Sequence, residues 1–353
     1  MLRMRTQIFK VALIFLLLNF QFAEVMAQEW EMITGKLFAQ GENPEFADDP
    51  FNRKLGALLC MPDGDLLLVR NGRHPMYRST DQGQSWQPLE GTETIGRAYG
   101  SFSFSRDYSN SRVAVFMIVQ KKERPALGLI LSADGKVLAE IGKPSAQHDG
   151  WTWGMPAWEQ DSPKVILGKE HHQWVVMWLS KDGGETWQKL DFTSRNPGVI
   201  NEKTFVAGNE DGIHRSADQG QSWEKVSDFI VTGKNPIRYS SNFYWTTEKG
   251  VIWSQDQGKS WQLLGQELSG TLWGPYFGTS EQSMMVVNQH GFYTTTDHGH
   301  NWDKVADYFA PPNANFEGEY NVIHTTNSYD WDEVRGILYA GGLGADAYKL
   351  KLK

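Results

Sequence analysis

The chain has 353 residues, of which 22% are charged, and its formal net charge at pH 7 is −8. An acidic chain without a basic stripe does not fit a nucleic-acid-binding protein. The single cysteine, Cys60, excludes an internal disulfide and a cysteine-ligated metal site. We therefore expect no cofactor, while a metal ion held by other ligands stays open.

The first 27 residues have the pattern of a secretory signal. Basic residues stand at positions 3, 5 and 10, an apolar core runs from Val11 to Phe20 with one polar residue, Asn19, and Val25-Met26-Ala27 forms a small-residue cleavage site. The apolar run is short for a membrane span, so an uncleaved anchor is the weaker alternative. We expect a secreted or periplasmic protein whose residues 28–353 form a single domain.

An eight-residue pattern, Ser/Thr-x-Asp-x-Gly-x-x-Trp, occurs five times in the chain. The copies are Ser79–Trp86, Ser180–Trp187, Ser216–Trp223, Ser254–Trp261 and Thr295–Trp302. Asp accepts backbone N–H bonds in a turn, and Gly supplies the positive φ that tight turns need. Short apolar or alternating runs precede each copy, so each copy predicts a hairpin turn between two strands.

The spacing of these turns indicates a β-propeller. The Asp residues at 182, 218, 256 and 297 are 36, 38 and 41 residues apart, which is the length of one four-stranded blade. The gap before Asp182 is 101 residues long and contains an incomplete copy at 131–135, which has no Trp. These positions define six turns and therefore six blades.

A seventh blade follows without the motif. Residues 322–326, 336–340 and 347–351 have strand patterns, and residues 29–33 resemble the strand that follows each motif. A ring closed by the two chain ends has no open sheet edge. We therefore predict an all-β fold, a seven-bladed β-propeller of four-stranded antiparallel blades, with six blades as the alternative.

The repeat resembles the Asp-box (BNR) motif of the sialidase-like superfamily. That resemblance implies that the motif lies between the third and fourth strands of each blade, on the face opposite the active site, where its Asp residues are structural. Residues 54–59 and 62–73 also resemble the opening of a sialidase, but Lys54 stands where the family has an Arg. Lys does not replace the bidentate guanidinium, so sialidase activity itself is not expected.

The face opposite the predicted Asp-box turns carries the candidate catalytic residues. His74 and His148 fall in its loops, and His is a general acid or base near neutral pH. Glu317 falls in the same set of loops and offers one of the two carboxylates that a glycoside hydrolase needs.

Substrate-binding candidates fall in the same loops. The arginines suit a sugar carboxylate, the tryptophans suit the face of a sugar ring, and two histidines add polar contacts. These residues are Arg73, Arg97, Arg238, Trp151, Trp153, His171 and His290. No zinc-ligand spacing is present, so we predict no metal ligands.

These patterns predict a secreted carbohydrate-active protein that acts on a polysaccharide or glycoside, with an anionic sugar in its site. Hydrolase and lyase are both open. The alternative is a non-catalytic propeller that binds a glycan or a partner protein, because the fold alone does not separate the two. We expect neither a nucleic-acid partner nor a membrane span after signal removal.

Overall fold

The apolar runs between the Asp-box turns form short antiparallel strands. The computed structural model describes residues 29–38, 55–70, 76–90, 92, 97–108, 112–120, 126–132, 136–142, 154–162, 164–169, 176–312, 327–342 and 344–353. The chain separates into an N-terminal unit, Met1–Trp30, and a second unit, Glu31–Lys353. The described residues form one helix, α1 (Gly35–Phe38). No helix among these residues is long and apolar enough to cross a membrane.

The second unit contains seven four-stranded sheets, which confirms the seven-bladed propeller over the six-bladed alternative. Blade one is β2 (Leu55–Cys60), β3 (Leu66–Arg70), β4 (Met76–Ser79) and β5 (Gln87–Pro88). Blade two is β6 (Arg97–Asp107), β7 (Arg112–Gln120), β8 (Ala126–Ser132) and β9 (Val137–Gly142). Blade three is β10 (Gly154–Trp158), β11 (Ile166–Lys169), β12 (Val176–Ser180) and β13 (Gln188–Thr193).

The remaining blades follow the same order. Blade four is β14 (Asn196–Val199), β15 (Phe205–Asn209), β16 (Gly212–Ser216) and β17 (Glu224–Ser227). Blade five is β18 (Ile237–Tyr239), β19 (Asn242–Thr247), β20 (Gly250–Ser254) and β21 (Gln262–Leu263). Blade six is β22 (Thr271–Phe277), β23 (Met284–Asn288), β24 (Gly291–Thr295) and β25 (Asp303–Asp307).

The chain ends meet in blade seven. This sheet runs from β26 (Asn327–Asp332) through β27 (Ile337–Gly342) and β28 (Tyr348–Lys351) to β1 (Glu31–Met32), where Glu31 pairs with Lys349. Ring closure by the two chain ends is therefore confirmed. The described first strand lies at 327–332, whereas the predicted strand at 322–326 lies outside the described residues. An alternating apolar pattern does not say which of two adjacent stretches pairs with the next strand.

The hydrophobic core lies between neighbouring blades. In the interface of blades three and four, Leu167, Met177 and Leu179 pack with Phe205 and with the ring of the motif residue Trp223. Strand residues in the middle of a blade are buried on both sides, which is why the first four residues of both β3 and β23 are apolar. Each Asp-box Trp thus contributes to the contact between two blades.

Every Asp-box turn has the same hydrogen-bond pattern. In the first, Ser79 Oγ donates to Asp81 Oδ1 at 2.8 Å, Gly83 N donates to Ser79 Oγ at 2.8 Å, and Ser85 N donates to Asp81 Oδ1 at 2.9 Å. The residue after the Asp and the following Gly both have left-handed backbones, with φ of 60° at Gln82 and 86° at Gly83. The invariant Gly is therefore required by the turn rather than by a ligand.

Candidate functional site

The strand order assigns every turn to one of two faces of the ring. Because neighbouring strands are antiparallel, turns between first and second strands lie on the same face as turns between third and fourth strands. The five complete motifs all lie between third and fourth strands, as the resemblance implied. We call this side the Asp-box face; the second-to-third turns and the connections between blades lie on the opposite face.

A cavity of about 340 Å³ opens on the Asp-box face. The turns between first and second strands of five blades line it, and the first strands of blades two and five contact each other across the ring. The cavity therefore lies near the ring axis, whereas the Asp-box motifs lie at the outer strands. Its lining consists of Met61, Pro62, Arg106, Asp107, Tyr108, Arg112, Val113, Tyr239, Phe277, Gly278, Thr279, Trp331, Asp332, Glu333 and Val334.

A buried ion pair forms the base of this region. Arg106 Nη2 donates to Asp330 Oδ2 at 2.7 Å, and the two side chains are 9% and 1% exposed. The carboxylate of Asp330 also accepts the backbone N–H groups of Cys60 at 2.7 Å and Trp331 at 2.9 Å. Burial by itself lowers the pKa of Arg106, but the Asp330 carboxylate, together with smaller contributions from other acidic groups, raises that pKa overall. The pair thus fixes the first strands of blades two and seven to each other.

Aromatic side chains form one wall of the cavity. The rings of Tyr108 and Tyr239 stack with centroids 5.8 Å apart, and Phe277 contacts both at 5.1 Å and 4.8 Å. The guanidinium of Arg106 lies 5.1 Å from the centre of the Tyr108 ring. Trp331 donates its indole N–H to the Tyr276 carbonyl at 2.9 Å. These contacts fix the orientation of the rings without a bound ligand.

Both arginines that line the cavity already have carboxylate partners. Arg106 is paired with Asp330, and Arg112 Nη2 lies 2.9 Å from the buried carboxylate of Asp107. Of the remaining lining carboxylates, Asp332 pairs with Arg335 at 2.7 Å. The arginines of this cavity are therefore not available to hold the carboxylate of an acidic sugar.

Glu333 differs from the other lining carboxylates because its partners are uncharged. Its Oε2 accepts Thr279 N at 2.6 Å and Thr279 Oγ1 at 2.7 Å, and its Oε1 accepts the Ser283 hydroxyl. Partial burial raises the pKa of Glu333, but these hydrogen bonds outweigh it and leave the pKa below its ordinary value. Glu333 is thus held ionised at the cavity wall.

Arg238 does not lie on the face where we expected it. It belongs to the three-residue strand β18, directly before the turn to β19, and this turn is on the Asp-box face. Its Nη1 lies 2.6 Å from Asp161, and its Nε donates to the Ser240 carbonyl at 2.8 Å. The expected placement was wrong because the connection before β18 is long and the strand starts late. Arg238 ties blade five to blade three.

His290 lies on the face where it was predicted, in the turn between β23 and β24. It is exposed, its backbone N–H donates to Asn288 Oδ1 at 2.9 Å, and its Nε2 lies 3.2 Å from Gln289 Nε2. The backbone of Arg97 pairs with Gln120 at the start of β6, on the same face. A functional role for either residue stays a prediction.

The other predicted site residues lie outside the described residues. They are His74, His148, Glu317, Arg73, Trp151, Trp153 and His171. Among the described residues, no group of three or more His, Cys, Asp or Glu side chains is arranged to hold a metal ion.

The residues that line the cavity were missed by the sequence reasoning. It examined the loops opposite the Asp-boxes, whereas the cavity is built from first-to-second-strand turns. One signal was present: the stretches 105–112 and 330–335 are rich in charged and aromatic residues and follow no repeat pattern. These stretches differ from the equivalent turns of the other blades, so the repeat alone does not account for them.

Comparison with known proteins identifies the repeat and the fold. The family model of the BNR/Asp-box repeat matches residues 77–88 and 178–189. A GH74 enzyme from Niastella koreensis superposes with a TM-score of 0.54 at 14% identity, covering 84% of this chain and 42% of the enzyme. The chain thus spans less than half of that enzyme.

Other solved propellers align at lower similarity. The Neurospora crassa Pan2 WD40 domain has a TM-score of 0.49 at 10% identity, covering 87% of this chain and 91% of the domain. YCF48 from Cyanidioschyzon merolae has a TM-score of 0.42 at 14% identity, covering 84% of this chain and 95% of its own. No curated protein matches the chain. At 14% identity, the likeness to the Niastella koreensis enzyme shows the fold alone.

Proposed function

We propose that the protein is a secreted carbohydrate-active propeller that holds a sugar ring in the cavity of the Asp-box face. The aromatic wall formed by Tyr108, Tyr239 and Trp331 is the observation that carries this proposal, and the buried Phe277 packs against both tyrosines. Apolar ring faces pack against sugar rings, and polar groups around them satisfy the hydroxyls. The cavity volume of about 340 Å³ is at the lower end of the usual range for ligand pockets, so it suits one or two sugar units.

The chemistry of the cavity favours binding over hydrolysis. A glycoside hydrolase needs one carboxyl group that stays protonated near neutral pH and a second one that is ionised. Asp107 and Asp332 are each paired with an arginine, and hydrogen bonds lower the pKa of Glu333. None of these carboxyl groups is suited to donate a proton to a leaving group.

Cleavage of the glycan stays the second candidate function, and it depends on the opposite face. His74, His148 and Glu317 remain the predicted catalytic residues there, and Arg73 and Arg97 remain the predicted partners of an anionic sugar. An enzyme of this design would bind the chain on one face and cleave it on the other.

A panel of neutral, amino and acidic oligosaccharides tests both candidates on the purified protein. Calorimetry measures binding, new reducing ends report hydrolysis, and absorbance of an unsaturated uronate reports a lyase. We expect binding that weakens about tenfold in Tyr239→Ala, since one stacking contact is lost. Tyr293→Ala, on the third strand of blade six, is the matched control. If the Tyr239→Ala variant still forms product, the cleavage takes place on the opposite face. If the protein binds none of the sugars, the proposal is refuted.

A further inference from the structure

Among the described residues, Glu333 is an ionised carboxylate without a counter-cation. Its hydrogen-bond donors are Thr279 N, Thr279 Oγ1 and Ser283 Oγ, and no described Lys or Arg nitrogen lies within 4.0 Å of it. The other two acidic residues that line the cavity, Asp107 and Asp332, each have an arginine within 2.9 Å. Neutral donors keep a carboxylate charged without cancelling its charge, so Glu333 gives this wall of the cavity a net negative potential.

A second carboxylate of the same kind lies in the turn between β22 and β23, which also holds Thr279 and Ser283, the hydrogen-bond donors to Glu333. Glu281 Oε1 accepts Asn242 Nδ2 at 2.8 Å and the Tyr244 hydroxyl at 2.6 Å, again without an arginine or lysine partner among the described residues. Burial raises the pKa of the Tyr239 phenol, and the negative charge of the nearby Glu281 raises it further. Glu281 does not itself line the cavity, but its negative charge acts on the lining residue Tyr239 and has the same sign as that of Glu333.

The aromatic wall stands beside these carboxylates. Tyr239 and Trp331 line the cavity together with Glu333, and Val334, 74% exposed, forms an apolar rim next to it. Ring faces attract cations through their quadrupole, and a nearby carboxylate adds to the attraction. Such a combination disfavours an anion and gives little advantage to a neutral ligand.

We infer that the cavity binds a sugar with a protonated amino group, whose ammonium lies between Glu333 and the aromatic wall. This inference deepens the proposed function and depends on it. For this cavity, an amino sugar replaces the anionic sugar that the sequence led us to expect. Both arginines that line the cavity are already neutralised by aspartates. The preferred glycan is thus a polymer or oligomer of a free amino sugar.

Calorimetry with three oligomers of equal length tests the inference: glucosamine, N-acetylglucosamine and glucose. For the unmodified protein we expect the glucosamine oligomer to bind at least about tenfold more tightly than the other two. Glu333→Gln should reduce its affinity to that of the N-acetylated oligomer and leave the latter unchanged. Glu267→Gln removes the same charge from an exposed position on the opposite face and should change nothing.

The outcomes separate this inference from the proposed function. Equal affinity for all three oligomers, unchanged by Glu333→Gln, overturns the amino-sugar inference and leaves the sugar-binding cavity intact. Binding of no oligomer at all overturns both. If Glu333→Gln does not fold, the salt dependence of the unmodified protein decides: the affinity for the glucosamine oligomer must fall with ionic strength, and that for the N-acetylated oligomer must not.

Discussion

Two sets of turns share one face of this propeller and are stabilised in different ways. The peripheral Asp-box turns satisfy their hydrogen bonds within eight residues, and all five do so with the same atoms. The central turns form contacts between blades: Arg106 and Asp330 are 224 residues apart in sequence, and Glu333 and Ser283 are 50 apart. Repetition therefore marks the parts that build each blade, and divergence marks the parts that join the blades and form the cavity.

The largest effect that separates the two sets is expected at the buried ion pair. Asp330→Asn keeps the shape of the side chain but leaves the Arg106 charge without a counter-charge in a buried site. The free energy of unfolding, measured by urea denaturation, should fall by about 3–5 kcal/mol. The exposed pair Arg195–Glu210 is the control, where Glu210→Gln should cost less than about 0.5 kcal/mol. A loss below about 1 kcal/mol in Asp330→Asn would show that the central turns are no more interdependent than the peripheral ones.

A smaller, local effect is expected in a peripheral turn. Asp256→Ala removes the acceptor of Ser254 Oγ, Ser260 N and Ser260 Oγ, at distances of 2.9, 3.0 and 2.6 Å. We expect a loss of about 1–2 kcal/mol in unfolding free energy, since these groups lie close to solvent and water replaces part of the bonding. The affinity for a ligand of the cavity should stay the same. A change in that affinity would contradict the separation of the two sets of turns.

The acid stability of the protein should depend on the peripheral turns. Hydrogen bonds, chiefly that from Ser85 Oγ, lower the pKa of Asp81 to about 2. A carboxyl group of the unfolded chain has a pKa of about 3.9, so the unfolded state binds more protons between these values. The stabilisation is present above pH 4 and is lost as the pH falls through 2. In urea denaturation, the difference between the unmodified protein and Asp81→Asn should therefore shrink from pH 5 to pH 2; a constant difference would exclude this cause.

The smallest effect is expected at His298. This residue takes the left-handed position that Gln occupies in three other Asp-boxes, with φ of 60°. Burial lowers the pKa of His298, so the folded state loses stability as the pH falls through the ordinary His value of about 6.5. His298→Gln keeps the turn and should change the unfolding free energy at pH 8 by less than about 1 kcal/mol, because it loses one hydrogen bond to the Tyr244 hydroxyl. It should also weaken the stability loss between pH 8 and pH 5. An unaltered pH profile would show that His298 does not titrate in this range.

The fold was predictable because its signal is local and repeated. Each motif needs an Asp acceptor, a left-handed Gly and a Trp within eight residues, so the sequence shows every complete turn and its spacing counts the blades. The seventh blade lacks the motif and was located less well: its first described strand begins at residue 327.

The cavity was not predictable because its contacts are not local. Nothing in the residues around Arg106 indicates that Asp330 is its partner, and nothing around Thr279 indicates Glu333. Arg238 shows the same limit: its residue type suits a sugar carboxylate, but the late start of β18 places it beside Asp161. Residue type indicates which chemistry is available, and only the strand register decides which side chains meet.

The most direct test is a crystal structure of the protein with an amino-sugar oligomer. We predict a sugar ring packed on Tyr239 and Trp331, with its ammonium group within hydrogen-bond distance of Glu333. A ligand bound on the opposite face, near His290, with the cavity of the Asp-box face empty, would contradict it.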